Sequence, residues 1–233
     1  MQTGEFVAAF REAFGPVPEL PLLFRYTDEP LRPAAKAGGC FFKALAEARD
    51  GRPVGLNASN IGCGGGKFYT GFSPMPEFVP QFVSLKERYK QTPEMVLDFI
   101  AALDLRPGPK AWLEFVRVDA AGTFDGAEGV LFFATPDVLA GLVTWAGFDN
   151  DAPDAVAAPF GSGCSTVVSQ AVRENRNGGH RCFLGLFHPS ADELCFVIPM
   201  SRFAGMCGTM RASCLFGTHA WDKVRERINK MNL

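Results

Sequence analysis

The sequence predicts an α+β fold, a single compact domain in which a mixed sheet, or sheets, packs against helices. Strand-like segments rich in Phe, Leu and Val are apolar at both alternating positions, which is typical of strands covered on both faces. Amphipathic segments with helix-start and helix-stop residues lie between them. The connections at 104–110 and 148–158 are too short for free linkers. We therefore expect residues 1–233 to form one domain.

Seven segments predict helices. The first carries Phe6, Phe10 and Phe14 on one face and ends before Gly15-Pro16. Thr92-Pro93 opens another, because threonine caps a helix well and proline fits its first turn. The six predicted after the first are 40–48, 76–90, 93–103, 135–147, 201–215 and 219–230.

Six segments predict strands between these helices. They are 20–26, 53–59, 111–118, 129–135, 180–187 and 193–200. At a shift of 64 residues, FFATPDVLAGLV (132–143) aligns with FVIPMSRFAGMC (196–207), and the apolar positions largely agree. The match indicates an internal strand–strand–helix repeat, although any amphipathic unit of this order would look similar.

The overall charge argues against several classes of partner. The formal net charge is −2 and there is no basic run, so neither nucleic acid nor an anionic membrane is expected to bind. The first residues lack the features of a signal peptide. No apolar stretch approaches the roughly 20 residues that span a bilayer. The sequence therefore predicts a cytoplasmic protein without a membrane partner.

The segment NIGCGGGKFYTGF (60–72) places one cysteine among five glycines. It does not fit a phosphate-binding Walker loop, because Phe68 follows Gly66-Lys67 where Ser or Thr is required and Ile61 occupies the first glycine position. The dinucleotide-binding glycine pattern fits no better. Nucleotide binding is therefore not expected here, and the cysteine needs another explanation.

The seven cysteines fall into two groups. Four lie in apolar strand or helix patterns and are expected to be buried as small hydrophobic residues: Cys182, Cys195, Cys207 and Cys214. Cys40, Cys63 and Cys164 instead lie in glycine-flanked turns. Cys40 and Cys164 stand where helices begin, where free N–H groups and the helix dipole favour thiolate. An odd number of cysteines without an export signal argues against disulfides.

If these three cysteines converge, they form a trithiolate site. Thiolates select iron–sulfur clusters, zinc or copper, and three of them match a cubane cluster (4Fe-4S) with one iron left open. Zinc held by three cysteines and a histidine is the alternative, with His180 as the candidate fourth ligand. Four neighbouring residues are assigned to cofactor binding: Gly62, Gly64, Gly65 and Ser162.

Basic and polar residues predict a small, anionic ligand beside the metal. Lys67, Tyr69 and His180 are expected to orient it at the open iron, and Arg173 and Arg181 are further candidates for the pocket. A redox partner protein would be expected for electron transfer. No Ser-His-Asp set or carboxylate pair stands out, so hydrolysis is disfavoured. Two other classes stay open: a non-catalytic site for a small molecule or planar cofactor, and a cysteine nucleophile at position 63 or 164.

The segments GGCFFKALAEARDGRPVGLNASNIGCGGGKFYTGF and PFGSGCSTVVSQAVRENRNGGHRCFLGLF resemble the signature blocks of a family called uncharacterised ArCR, domain of unknown function 169. The resemblance runs from about residue 5 to 230, with matching positions at Cys40, Cys63-Gly64-Gly65 and Cys164. The family name assigns no activity. Its occurrence in archaea and many anaerobic bacteria is compatible with an oxygen-sensitive cluster.

Overall fold

A seven-stranded sheet forms the centre of the protein in a computed structural model that describes residues 2–34, 39–185 and 192–230. The strands are β1 (Leu22–Thr27), β2 (Val54–Leu56), β3 (Trp112–Arg117), β4 (Gly129–Ala134), β5 (Val156–Ala157), β6 (Cys182–Gly185) and β7 (Leu194–Pro199). Their order is β2-β3-β1-β4-β7-β6-β5. Within these ranges the neighbours are antiparallel except β5 and β6, which are parallel. The predicted α+β class with a mixed sheet is confirmed.

The helices surround this sheet. They are α1 (Thr3–Phe14), α2 (Phe41–Arg49), α3 (Gly64–Tyr69), α4 (Val79–Gln81), α5 (Pro93–Ala102), α6 (Pro136–Phe148), α7 (Ala171–Arg176), α8 (Met200–Thr209) and α9 (His219–Lys230). Two π-helical turns, Phe82–Lys86 and Ser165–Gln170, extend α4 and precede α7. Among the described residues, no helix combines the length and apolar character needed to cross a membrane.

Several element boundaries differ from the prediction. The segment 76–90 holds only α4 and its π turn, because Arg88 adopts a positive φ of 57° that ends helical structure. The helix predicted to 215 ends at Thr209 and continues only as the 3-10 turn Met210–Ala212. The short strand β5 was not predicted. The predicted strand end at 186–187 and most of the turn after it lie outside the described residues.

Helices cover both faces of the sheet, as the unbroken apolar strands predict. Along β1, Leu22 and Phe24 point to one face and Leu23 to the other, following the two-residue period of a strand. We call the face covered by α1, α6, α8 and α9 the first face. The second face is covered by α2, α3 and the π-turn–α7 segment. The three glycine-flanked cysteines belong to helices of this second face.

The predicted internal repeat has a partial structural counterpart. Strands β4 and β7 are antiparallel neighbours, and Phe132 pairs with Phe196, the two positions aligned by the 64-residue shift. Each strand leads into a helix on the first face, α6 and α8. The preceding strands differ, because β1 lies between β3 and β4 whereas β6 is directly beside β7. The similarity therefore covers a strand–helix unit and not a strand–strand–helix unit.

Packing of α6 on the first face requires a glycine at position 141. A Cβ at Gly141 would lie 2.3 Å from Trp221 Cη2 and 2.6 Å from Phe14 Cε1. We expect Gly141→Ala to lower the free energy of unfolding by about 1–3 kcal/mol through overpacking. Gly147→Ala in the same helix meets nothing within 4 Å, so it should raise stability by up to about 1 kcal/mol. Urea titration of both variants measures this difference, and a stabilised Gly141→Ala would contradict the packing.

Candidate functional site

Three segments on the second face of the sheet each begin a helix at or directly after a cysteine. Cys40 precedes α2, Cys63 precedes α3, and Cys164 precedes the π turn that runs into α7. These segments are far apart in the chain and pack on one apolar layer formed by the strands. The topology thus brings three thiol-bearing helix starts to the same side of the sheet.

The glycine segment after Cys63 is a helix and not the loop expected from its composition. Cys63 Sγ accepts a hydrogen bond from the Gly66 N–H at 3.4 Å, which caps the first turn. Thr70 Oγ1 donates to the Gly66 carbonyl at 2.7 Å, and buried Ser169 Oγ donates to the Tyr69 carbonyl at 2.6 Å. These bonds at both ends and the burial of Tyr69 offset the low helix propensity of glycine.

Gly64 and Gly65 are not required by the backbone of α3. Neither has a positive φ, and both lie within the helix. A Cβ at Gly64 would be 3.5 Å from Pro76 Cγ, and one at Gly65 would be 3.8 Å from Cys63 Sγ and 4.0 Å from Tyr69 Cε2, which are ordinary contacts. Both stand in the first turn of α3, where glycine favours the helix less than alanine does. Their missing side chains leave the backbone next to Cys63 partly exposed.

Cys164 is buried beside the helix start. Its Sγ lies 3.3 Å from Ser162 Oγ, so Ser162, which the sequence assigns to cofactor binding, contacts one of the three cysteines. Burial raises the pKa of the Cys164 thiol to about 12, and the charges of Cys63 and Cys40 contribute to the same shift. The expected stabilisation of a thiolate at this helix start is therefore wrong in the metal-free protein, because desolvation outweighs it.

Cys40 and Cys63 lie in the same region as Cys164. Their charges contribute to the raised pKa of the Cys164 thiol, for which burial is the main cause. Cys40 is exposed and follows Gly39, whose φ of +88° favours glycine. Within 2–34, 39–185 and 192–230, however, no three His, Cys, Asp or Glu side chains are already arranged to hold a metal ion. The thiols therefore share one region without forming a ready-made ligand set.

The structure separates the histidine candidate from the cysteines. His180 lies beyond the C-terminal end of α7, whereas Cys164 lies in the first turn of the helical segment, and roughly 20 Å of helix separates these two ends. His180 Nε2 is 3.5 Å from Asp154 Oδ1, and Arg181 pairs with the same carboxylate. Neither residue belongs to the cysteine region. Lys67 is half-buried in α3, and Gly62 is exposed before Cys63.

Tyr69 connects the cysteine region to a cavity. The buried ring lies beside Gly65 and Cys63, and burial together with the charge of Cys164 raises the pKa of its hydroxyl group well above the usual value. On its other side, Tyr69 lines a cavity of about 320 Å³ that also contains Arg173. Tyr69 and Arg173, two of the residues predicted to line an anion pocket, are thus brought to one cavity.

Two further arginines at this cavity were missed from the sequence. Arg106 and Arg176 also line it. The i,i+3 spacing of Arg173 and Arg176 in AVRENR places both on one helix face, and this signal was available from the sequence. Arg106 lies in the connection after α5, and only the tertiary structure brings it to α7.

The four remaining cysteines occupy the positions expected from their apolar surroundings. Cys182, Cys195 and Cys207 are buried, and Cys214 is half-buried against the core of the first face. Burial raises the pKa of each of these thiols above its ordinary value. These cysteines pack as small apolar side chains.

Comparison with known proteins gives one relationship. The chain matches no curated protein and no solved structure. A sequence profile of the family described as uncharacterised ArCR matches residues 21–208. This range covers most of the chain, including every strand of the sheet and all three helix-starting cysteines. The chain therefore belongs to the uncharacterised ArCR family, as the resemblance of its cysteine segments indicates.

Proposed function

We propose that the protein binds an iron–sulfur cluster, with 4Fe-4S favoured, through Cys40, Cys63 and Cys164. The observation that carries the proposal is the exposure next to Cys63: Gly64 is exposed and Gly65 half-buried beside the half-buried cysteine, although no positive φ requires glycine at either position. Two more thiols lie near enough to interact electrostatically with each other or with this sulfur. A bulky ligand is the simplest reason for such an arrangement.

The donor chemistry fits a soft metal centre. Three thiolates are ligands for iron–sulfur clusters or zinc, and neither carboxylates nor histidines are needed for the first three positions. Loading would draw the sulfur atoms together and remove the proton from Cys164, since metal ligation requires thiolate. Cys40 is exposed, so its side chain has room to turn toward the others. When bound, such a cluster would supply electron transfer or a Lewis-acidic iron.

Residues around the cysteines would shape the rest of the site. The Gly66 N–H donates to Cys63 Sγ, and Ser162 Oγ lies next to Cys164 Sγ. Both sulfur atoms thus have hydrogen-bond partners that would adjust the properties of a bound metal centre. Tyr69 is buried beside Gly65. Lys67 on α3 would be a cation for an anionic ligand at an open iron. A redox partner protein stays a prediction from the sequence.

Three alternatives compete with the cluster. Zinc would need a fourth ligand, and His180 is held by Asp154 at the far end of the helical segment. A cysteine nucleophile at position 164 would be protonated at neutral pH, because burial raises its pKa to about 12. A non-catalytic site for a planar cofactor would use the same exposed region and would bind without inorganic sulfide.

Anaerobic reconstitution with iron and sulfide tests the proposal. We expect the wild-type protein to turn brown, with a broad visible absorption band and stoichiometric iron and sulfide. Cys40→Ser, Cys63→Ser and Cys164→Ser should each lose most of the bound iron and sulfide. Cys214→Ser is the matched control, because Cys214 is half-buried on the other face of the sheet, and it should bind normally.

The same measurements identify the competing outcomes. A colourless protein that holds one equivalent of zinc through the three cysteines would replace the cluster with a zinc site. Loss of iron in Cys214→Ser with retention in the three other variants would refute the ligand assignment. Circular dichroism of every variant establishes that the fold is intact before the metal content is compared.

A further inference from the structure

The cavity behind Tyr69 is separate from the cysteine region and has its own chemistry. Its volume is about 320 Å³, within the range of small-molecule pockets. Tyr69, Ser169 and α7 contribute one side, and the connection after α5 contributes the other. The cavity thus lies between α7 and the connection after α5.

Positive charge predominates at this cavity. Three guanidinium groups, of Arg106, Arg173 and Arg176, border it together with the carboxylates of Asp104 and Glu128. Both carboxylates are already engaged. Asp104 binds the Arg176 guanidinium, and Glu128 accepts a hydrogen bond from Asn175 Nδ2 at 2.8 Å. Three guanidinium charges against two carboxylate charges leave one net positive charge among these side chains.

Donors of Arg173 and Arg176 are left unused. Arg173 Nη1 donates to the Ala102 carbonyl, and in the described part of the chain the Arg173 guanidinium has no carboxylate within ion-pair distance. Arg176 Nε is a buried N–H group without a hydrogen-bond partner among the described residues.

We infer that this cavity binds the oxyanion group of a small metabolite, a carboxylate or a phosphate, between Arg173 and Arg176. Side chains at positions i and i+3 of a helix are neighbours, so the N–H groups of Arg173 and Arg176 that do not bind Ala102 or Asp104 can both reach one anion. Arg106, which is 65% exposed, stands at the mouth, where its charge attracts anions. The inference does not rest on metal binding at the cysteines.

Titration of the metal-free protein with inorganic phosphate and, separately, with succinate tests this inference. Two-dimensional ¹H–¹⁵N spectra of the arginine Nε–H groups, recorded at constant ionic strength with chloride as the reference anion, report binding. We expect saturable shifts of the Arg173 and Arg176 signals with at least one probe. Phosphate alone would identify a phosphorylated ligand class, and succinate alone a carboxylate class.

A pair of charge-matched variants provides the control. Arg173→Gln should weaken binding of the active probe by about tenfold or more, the loss expected for a charge-assisted hydrogen bond. Arg211→Gln removes an equal charge from an exposed ion pair with Glu12 and should bind like wild type. Absence of saturable shifts with both probes, or an equal loss in the two variants, would overturn the inference. If Arg173→Gln does not fold, the saturable shift of the Arg176 signal in the wild-type protein tests the inference.

Discussion

Replacing Gly65 by leucine is expected to lower cluster affinity by about 5- to 150-fold, which corresponds to the roughly 1–3 kcal/mol that overpacking costs in a filled site. The physical reason is position: a Cβ at this residue stands 3.8 Å from Cys63 Sγ, and the leucine branches would extend into the space in front of the sulfur. Iron and sulfide retained against a chelator after anaerobic reconstitution measure the change.

The fold should be unaffected by this substitution. Leucine has a better helix propensity than glycine, and the nearest atoms to the new Cβ are at van der Waals distance. Gly147→Leu is the matched control, since Gly147 lies in a helix with no atom within 4 Å of its Cβ and is on the other face of the sheet. Normal iron binding by Gly65→Leu would show that a cluster does not occupy the space beside Cys63.

Replacing Glu114 by alanine is expected to lower the free energy of unfolding by about 3 kcal/mol, because the charge of Arg25 loses its partner. Glu114 is fully buried in β3, and its Oε2 is 2.8 Å from Arg25 Nη2 in β1. Its Oε1 accepts the Leu31 N–H at 2.5 Å. The carboxylate therefore joins two central strands to the segment that leads toward α2 and Cys40.

Urea denaturation of three variants separates these contributions. Glu114→Gln keeps the size of the side chain and a hydrogen-bond acceptor for Leu31 but loses the charge, so it should be destabilised less than Glu114→Ala. The double variant Arg25→Leu/Glu114→Leu removes both charges and should also be more stable than Glu114→Ala, because no unpaired charge remains. A double variant as unstable as Glu114→Ala would show that the ion pair is not the source of the loss.

The strands and longer helices were predictable because their signals are local. Phe6, Phe10 and Phe14 repeat with the period of a helix, and Thr92-Pro93 carries a recognisable start, so α1 and α5 appear close to their predicted places. The glycine segment after Cys63 was predicted as a loop from composition alone. Its helix depends on a thiol cap, on the bond from Ser169 and on burial of Tyr69, which come partly from distant residues.

The candidate site likewise combines features that the sequence predicts with features that only the structure reveals. Sequence patterns distinguished Cys40, Cys63 and Cys164 from the four cysteines in apolar segments, and the structure places each of the three at the start of a helical segment on one face. The burial that raises the Cys164 pKa was not visible in the pattern GSGCS. The sequence also suggests His180 as a metal ligand. However, α7 lies between Cys164 and His180 in the chain and places the histidine at the end of the helix away from the cysteines.

By itself, the sequence determined the α+β class, the apolar strands covered on both faces, and which three cysteines differ from the rest, because these properties depend on residue type and short-range spacing. Only the tertiary structure decided the strand order, the helical state of the glycine segment, and the cavity that joins Arg106 to Arg173 and Arg176. Those features come from packing between segments distant along the chain, where desolvation and close contact outweigh local preference.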